Sequence, residues 1–164
     1  MRMLLSGVLL GIVAGIVIGR DWRRLATLEI RWLPVLVVAL GLRAIASLTP
    51  TSSFPLYVAS ITLVAVVGLI NWRLPGAVLV MIGSILNLSV SLANGAMPID
   101  PDALGAAGAT MPHDGLHRPL DEYTRLALLA DIVPWAIVRA VYSFGDFFIA
   151  LGGFLVPFAK LTRR

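Results

Sequence analysis

Apolar residues in this chain gather into five long runs, over about residues 3–19, 32–48, 55–72, 76–93 and 143–161. Each approaches the roughly 20 residues that an α-helix needs to cross the hydrocarbon core of a bilayer. The polar positions punctuate these runs. Arg20, Arg23, Arg24 and Arg31 fill the first connection, where Trp22 and Trp32 suit an interfacial aromatic belt. Thr49 to Pro55 is an uncharged turn, and Asn71 to Gly76 is a short link in which Pro75 is placed to open the next helix. The sequence Asn94-Gly95-Ala96-Met97-Pro98 ends the fourth run and opens an external loop over residues 94–122, the only long hydrophilic stretch. Leu120 to Val133 reads as a short helix capped by Asp121, interrupted at Pro134 and continued over Trp135 to Tyr142. The pattern predicts an all-α, polytopic membrane bundle in one domain, with about five transmembrane helices. Residues 120–142 form an interfacial, re-entrant or broken helix within it.

Polarity inside the runs marks the candidate site. Ser84, Asn87, Ser91 and Asn94 fall within one arc of about 80° at the helical twist of about 100° per residue. Asp131, Arg139 and Asp146 sit in otherwise hydrocarbon-like sequence, where a charge normally faces a partner or a water-filled cavity. The expectation is that the polar stripe meets the charged segment, with these residues and Ser143 binding a substrate. Ser143-Phe144-Gly145-Asp146 is a variant of the helix capping box, a serine with an acid three residues on. It is equally a helix break whose exposed amides suit an anionic group, and the two roles coexist. Arg43, near the end of the second run, reads as a side chain that snorkels to the interface. His113 and His117, with Asp114 and Asp121 nearby, have a spacing that suits a divalent metal only on a helix, and Pro112 and Gly115 argue for an unliganded loop.

Gly7, Gly11, Gly15 and Gly19 recur at intervals of four and leave one face of the first run almost bare, a surface for close helix–helix contact within the chain or with a partner. Composition agrees with a membrane class: 59% of the 164 residues are hydrophobic and 13% charged, with a mean hydropathy of +0.92. The high isoelectric point does not imply nucleic acid, because most basic residues flank spans and act as topology signals. Putting the first loop, Arg73 and the C-terminus in the cytoplasm places eight of the thirteen basic residues inside. This predicts a plasma-membrane protein with the N-terminus outside and five crossings; a six-span arrangement, split at Ser143, would move a basic cluster outside. No cysteine is present, so thiolate chemistry is excluded. No phosphate loop, dinucleotide turn, zincin signature or serine–histidine–acid arrangement occurs, and no cofactor is implied.

The residues Asn87 to Ala93, Asn94-Gly95-Ala96-Met97-Pro98, Asp131-Ile132-Val133-Pro134 and Ser143-Phe144-Gly145-Asp146 together resemble a family of small bacterial membrane proteins, the domain of unknown function 5317. The resemblance covers the C-terminal half most closely and implies a membrane location without a mechanism. Three function classes follow from the residues. The first is binding or transport of a small solute, ion or lipid headgroup through the polar intramembrane site. The second is a structural subunit of a membrane complex, and the third an enzyme acting on lipid-linked substrates with Asp131, Asp146 or His117 as acid or base.

Overall fold

The computed structural model describes residues 2–19, 21–49 and 53–162. Arg20, the turn residues Pro50, Thr51 and Ser52, and the tail residues Arg163 and Arg164 lie outside the described residues. The five apolar runs become α1 (Arg2–Gly19), α2 (Leu33–Leu48), α3 (Ser53–Ile70), α4 (Ala77–Asn94) and, after a short α5 (Pro101–Ala107), α6 (Phe144–Thr162). Three of these, α3, α4 and α6, are long and apolar enough to cross a membrane, and α1 and α2 are shorter apolar helices.

Across the bundle the helices follow the order α1, α6, α4, α3, α2. Small residues explain why α6 is central. A Cβ at Gly7, Gly11 or Gly19 would strike the backbone carbonyl of Ala150, Phe154 or Leu161, and one at Gly15 would strike the Leu161 side chain. The bare face of α1 is therefore filled by α6 of the same chain. On the other side of α6, Gly145 lies against Gly83 and Gly152 against Gly76, again at backbone contact. In lipid, where apolar side chains gain little by leaving their solvent, this packing is what drives helices together. The registers also give direction: α1 runs parallel to α6, and α4 antiparallel to it.

At one end of the bundle, Asn71 ties α3 to the start of α2. Its amide nitrogen donates to the Arg31 carbonyl at 2.9 Å, and its oxygen accepts from the Arg31 amide at 2.8 Å. The basic residues Arg23, Arg24, Arg73 and Lys160 lie near this end. The other end is closed by residues 95–143. Gly95, at a φ of +70°, stops α4 in the left-handed conformation that glycine adopts without strain. The chain then enters β1 (Met97–Ile99), which pairs in parallel with β2 (His117–Pro119) and is bridged on its other edge, through Ile99, to Asp131. The stretch expected to be a hydrophilic loop is thus an ordered cap, held down by Leu116, which is 1% exposed.

The helix expected over residues 120–142 does not form. A 3₁₀ turn at Ala127–Leu129 is followed by an antiparallel hairpin of β3 (Val133–Trp135) and β4 (Ala140–Tyr142). Pro134 explains the change, since it offers no N–H to a helical ladder and holds Val133 extended. Pairing Pro134 with Val141 and turning through Arg139, at a φ of 47°, satisfies the backbone instead. The fold is accordingly mostly helical with four short strands, rather than all-α.

Candidate functional site

The polar stripe of α4 and the start of α6 meet. Ser143 precedes α6 and accepts the Asp146 amide on its Oγ at 3.1 Å, while Asp146 Oδ2 accepts the Ser143 amide at 3.4 Å. This reciprocal pair is the capping box anticipated from the sequence. Asn87 completes it from α4. Its Nδ2 donates to Asp146 Oδ1 at 3.1 Å, and its Oδ1 accepts from the Ser143 hydroxyl at 2.8 Å. Ser143 is fully buried and Asn87 is 4% exposed, so this network of four hydrogen bonds joins α4 to α6 where Gly83 and Gly145 have brought the backbones together.

Beside this network lies a cavity of about 90 Å³, several times the roughly 10–15 Å³ that one water molecule requires. Its polar lining comes from Arg43 of α2, Tyr57 and Ser60 of α3, Ser84 and Asn87 of α4, His117 and Asp131 of the cap, and Asp146 of α6. An outer chamber of about 370 Å³, under the hairpin, shares Arg43, His117, Asp131 and Asp146 with it and adds Asp114 and Tyr142. The two spaces therefore meet at four ionisable side chains. Arg43 lies over the Tyr57 ring with its guanidinium carbon 5.1 Å from the ring centre.

Two buried polar atoms of this lining, Ser84 Oγ and Asp131 Oδ1, find no hydrogen-bond partner among the described residues. Ser84 is fully buried and Asp131 is 5% exposed. Leaving such groups unpaired costs about 1–3 kcal/mol each, more for a charge. Asp131 is fixed there by backbone, not by its side chain: its amide donates to the Pro98 carbonyl at 3.0 Å and its carbonyl accepts from the Asp100 amide at 2.9 Å. Burial, with the nearby Asp146 carboxylate adding to it, pushes the Asp131 carboxyl well above its ordinary value of 3.8.

His117 stands on the opposite edge of β1 from Asp131. Its Nδ1 is 2.9 Å from both oxygens of Asp114, and its Nε2 is 4.0 Å from Asp131 Oδ2. A carboxylate only accepts, so Nδ1 carries the hydrogen and Nε2 is left toward Asp131. Burial pulls Asp114 upward, but the His117 ring and the amide of Leu116 outweigh it and hold the carboxyl below 3.8.

Of the residues expected to form the site, Ser84, Asn87, Asp131 and Asp146 line the cavity and Ser143 braces it. Ser91 is buried one turn away, its hydroxyl 3.4 Å from the Tyr57 hydroxyl. Asn94 holds the cap: its side chain exchanges hydrogen bonds with the backbone of Arg125 at 2.8 and 2.9 Å. Arg139 is exposed on the hairpin turn and is not part of the lining. His113 is exposed as well, and among the described residues no group of three or more His, Cys, Asp or Glu side chains is placed to hold a metal. Sequence reasoning passed over Tyr57 and sent Arg43 to the interface; it weighed Asp114 only beside a metal, and His117 as a metal ligand or as an acid or base, never the two as a pair. Their three-residue spacing after a glycine-rich loop was the available signal for an acid–histidine pair.

A family model, described as a family of unknown function (DUF5317), matches residues 26–158. The chain belongs to this family. The matched DUF5317 region contains every residue lining the inner cavity except Leu4. No curated protein and no solved structure matches the chain.

Proposed function

We propose that this member of the DUF5317 family is a five-span membrane protein that binds a small polar solute in the cavity between α2, α3, α4 and α6, and passes it through the outer chamber. The observation that carries this reading is the pair of unpartnered buried atoms, Ser84 Oγ and Asp131 Oδ1, on the wall of one cavity. A hydroxyl and a carboxyl that nothing in the fold satisfies are suited to a ligand that does. Arg43 and Asp146 offer both charge signs on the same wall, which favours a zwitterionic or neutral polar solute over an apolar one. The alternating helix directions given by the glycine contacts support five crossings, with α1 and α2 spanning alongside the longer helices. The basic end then faces the cytoplasm and the cap faces outward.

The test is thermal unfolding of the full chain in lipid nanodiscs against a panel of small polar solutes. A true ligand at a hundred times its Kd stabilises by about 2.7 kcal/mol. Asp131→Asn is expected to lose most of that stabilisation, and Ser84→Ala to lower it to about 1.4–1.8 kcal/mol at the same solute concentration. A panel without any stabilising solute, or one whose effect survives both substitutions, counts against the site.

A further inference from the structure

Besides the phenols of Tyr57 and Tyr142, five ionisable side chains line the two chambers among the described residues: the acids Asp114, Asp131 and Asp146 and the bases Arg43 and His117. The acids are not equivalent. Asp146 is held by the Asn87 amide and the start of α6, and Asp114 is held by the His117 ring and the Leu116 amide. Asp131 alone has one oxygen unpartnered and the other 4.0 Å from a basic nitrogen. A small rotation of either side chain closes that gap to hydrogen-bond length. Both side chains line the two chambers, but His117 is 17% exposed and Asp131 only 7%, so the ring is the more accessible member of the pair.

We propose that His117, positioned by Asp114, is a proton relay between Asp131 and the outer chamber, and that filling of the inner cavity is coupled to the protonation of Asp131. The coupling rests on the binding reading above; the relay itself does not. Each step balances. Asp131 gives its proton to Nε2, leaving a carboxylate and an imidazolium, and Nε2 then gives that same proton to solvent in the outer chamber while Nδ1 keeps its hydrogen toward Asp114. Asp114 remains ionised throughout. It fixes the ring with Nε2 inward and stabilises the imidazolium, the role a buried aspartate plays toward a catalytic histidine. Among the described residues, the other groups facing the relay are Arg43 from α2, Tyr57 from α3, Asp146 from α6 and Tyr142 from β4, while Leu4 of α1 and Ser84 and Asn87 of α4 line the inner cavity without charge.

Infrared spectroscopy of the unliganded full chain in nanodiscs tests this without a known solute. A protonated buried carboxyl has a carbonyl stretch separate from the amide bands, which shifts on exchange into heavy water. The expected result is one such band, absent from Asp131→Asn. In His117→Gln the band persists, but its deuterium exchange slows by about a hundredfold, the scale of a lost acid–base group. Asp114→Asn is expected to slow exchange as well, by leaving the ring free to choose the other tautomer. A spectrum without the band, a band indifferent to Asp131→Asn, or an exchange rate unchanged in His117→Gln overturns the relay. Should Asp131→Asn fail to fold, the exchange rate in His117→Gln decides alone. Solute stabilisation that persists while exchange ignores His117 would overturn the relay and leave the binding site standing.

Discussion

Asn87 of α4 and Asp146 of α6, 59 residues apart in the chain, share a hydrogen bond of 3.1 Å inside the bundle. The amide also accepts from Ser143, so one side chain satisfies both members of the capping box. Replacing Asn87 by leucine would strand the Ser143 hydroxyl and one Asp146 oxygen together. The expected loss is about 1–3 kcal/mol, the usual cost of orphaning buried polar groups. Ser89→Leu, on the exposed face of the same helix and bonded only back to Ile85, is expected to change little. Denaturant or thermal unfolding of the two variants checks the contrast.

The glycine contacts predict opposite signs for the same substitution at different sites. At Gly145 an added methyl group meets the Asn87 amide oxygen and the Gly83 carbonyl, and at Gly83 it meets the Gly145 carbonyl. Neither backbone can withdraw without opening the α4–α6 seam, so Gly145→Ala and Gly83→Ala are each expected to destabilise by about 1–3 kcal/mol. Gly41, in α2, has open space where its Cβ would lie. Gly41→Ala is expected to stabilise by about 0.5–1 kcal/mol through helix propensity alone.

Ser84 separates a ligand site from a structural one. A serine retained for packing would be missed when removed, but the Ser84 hydroxyl has no partner to lose. Ser84→Ala is therefore expected to leave the unliganded protein equally stable or slightly more so. The same change is expected to weaken solute binding by about five- to tenfold, as one neutral hydrogen bond of roughly 1 kcal/mol or slightly more would. Marked destabilisation of the empty protein by Ser84→Ala would refute this assignment.

These contrasts also mark what the sequence could disclose. The five long helices were legible because each is one long apolar run, and the α4–α6 meeting was legible because Asn87 and Asp146 had few other places to go. The cap was not. Its geometry depends on β1 being gripped by His117 on one edge and Asp131 on the other, a pairing between residues distant in sequence with no local signature. The hairpin over residues 133–142 was obscured by apolar composition, which reads as helix until Pro134 and the strand pairing are weighed together. Arg43 misled for a related reason: near a helix end a long cation has two outlets, and only the position of Tyr57 shows which is taken.

Asp131 gives a pH dependence of known sign. Its carboxyl is raised on folding, so the folded protein binds more protons than the unfolded chain above 3.8, the ordinary aspartate value. Stability on this account is greatest at or below that pH and falls as pH rises toward the folded value, where the buried charge finally forms. Asp131→Asn is expected to flatten that part of the profile. Asp114 acts in the opposite sense over a more acidic window: its carboxyl is lowered, and its contribution is lost as pH falls from 3.8 through the folded value. Thermal midpoints of the wild type and Asp131→Asn across pH check the sign, and a parallel pair of curves above 3.8 would contradict it.

The orientation can be read chemically because the chain contains no cysteine, so every introduced thiol reports alone. At one end of the bundle, Arg23, Arg24, Arg31, Arg73 and Lys160 outnumber Asp21 and Glu29. At the other, Asp100, Asp102, Asp114, Asp121 and Glu122 outnumber Arg118, Arg125 and Arg139. Basic segments resist translocation, so the proposed orientation has the first end in the cytoplasm and the cap outside. Ala26 and Glu122 are exposed at these two ends. In sealed right-side-out vesicles, Glu122→Cys is expected to react with a membrane-impermeant maleimide at once, and Ala26→Cys only after permeabilisation. Labelling of both thiols before permeabilisation would place the two ends on one side and remove the five-span arrangement; the reverse order would keep the arrangement and invert it, leaving the acidic cap in the cytoplasm against the charge bias.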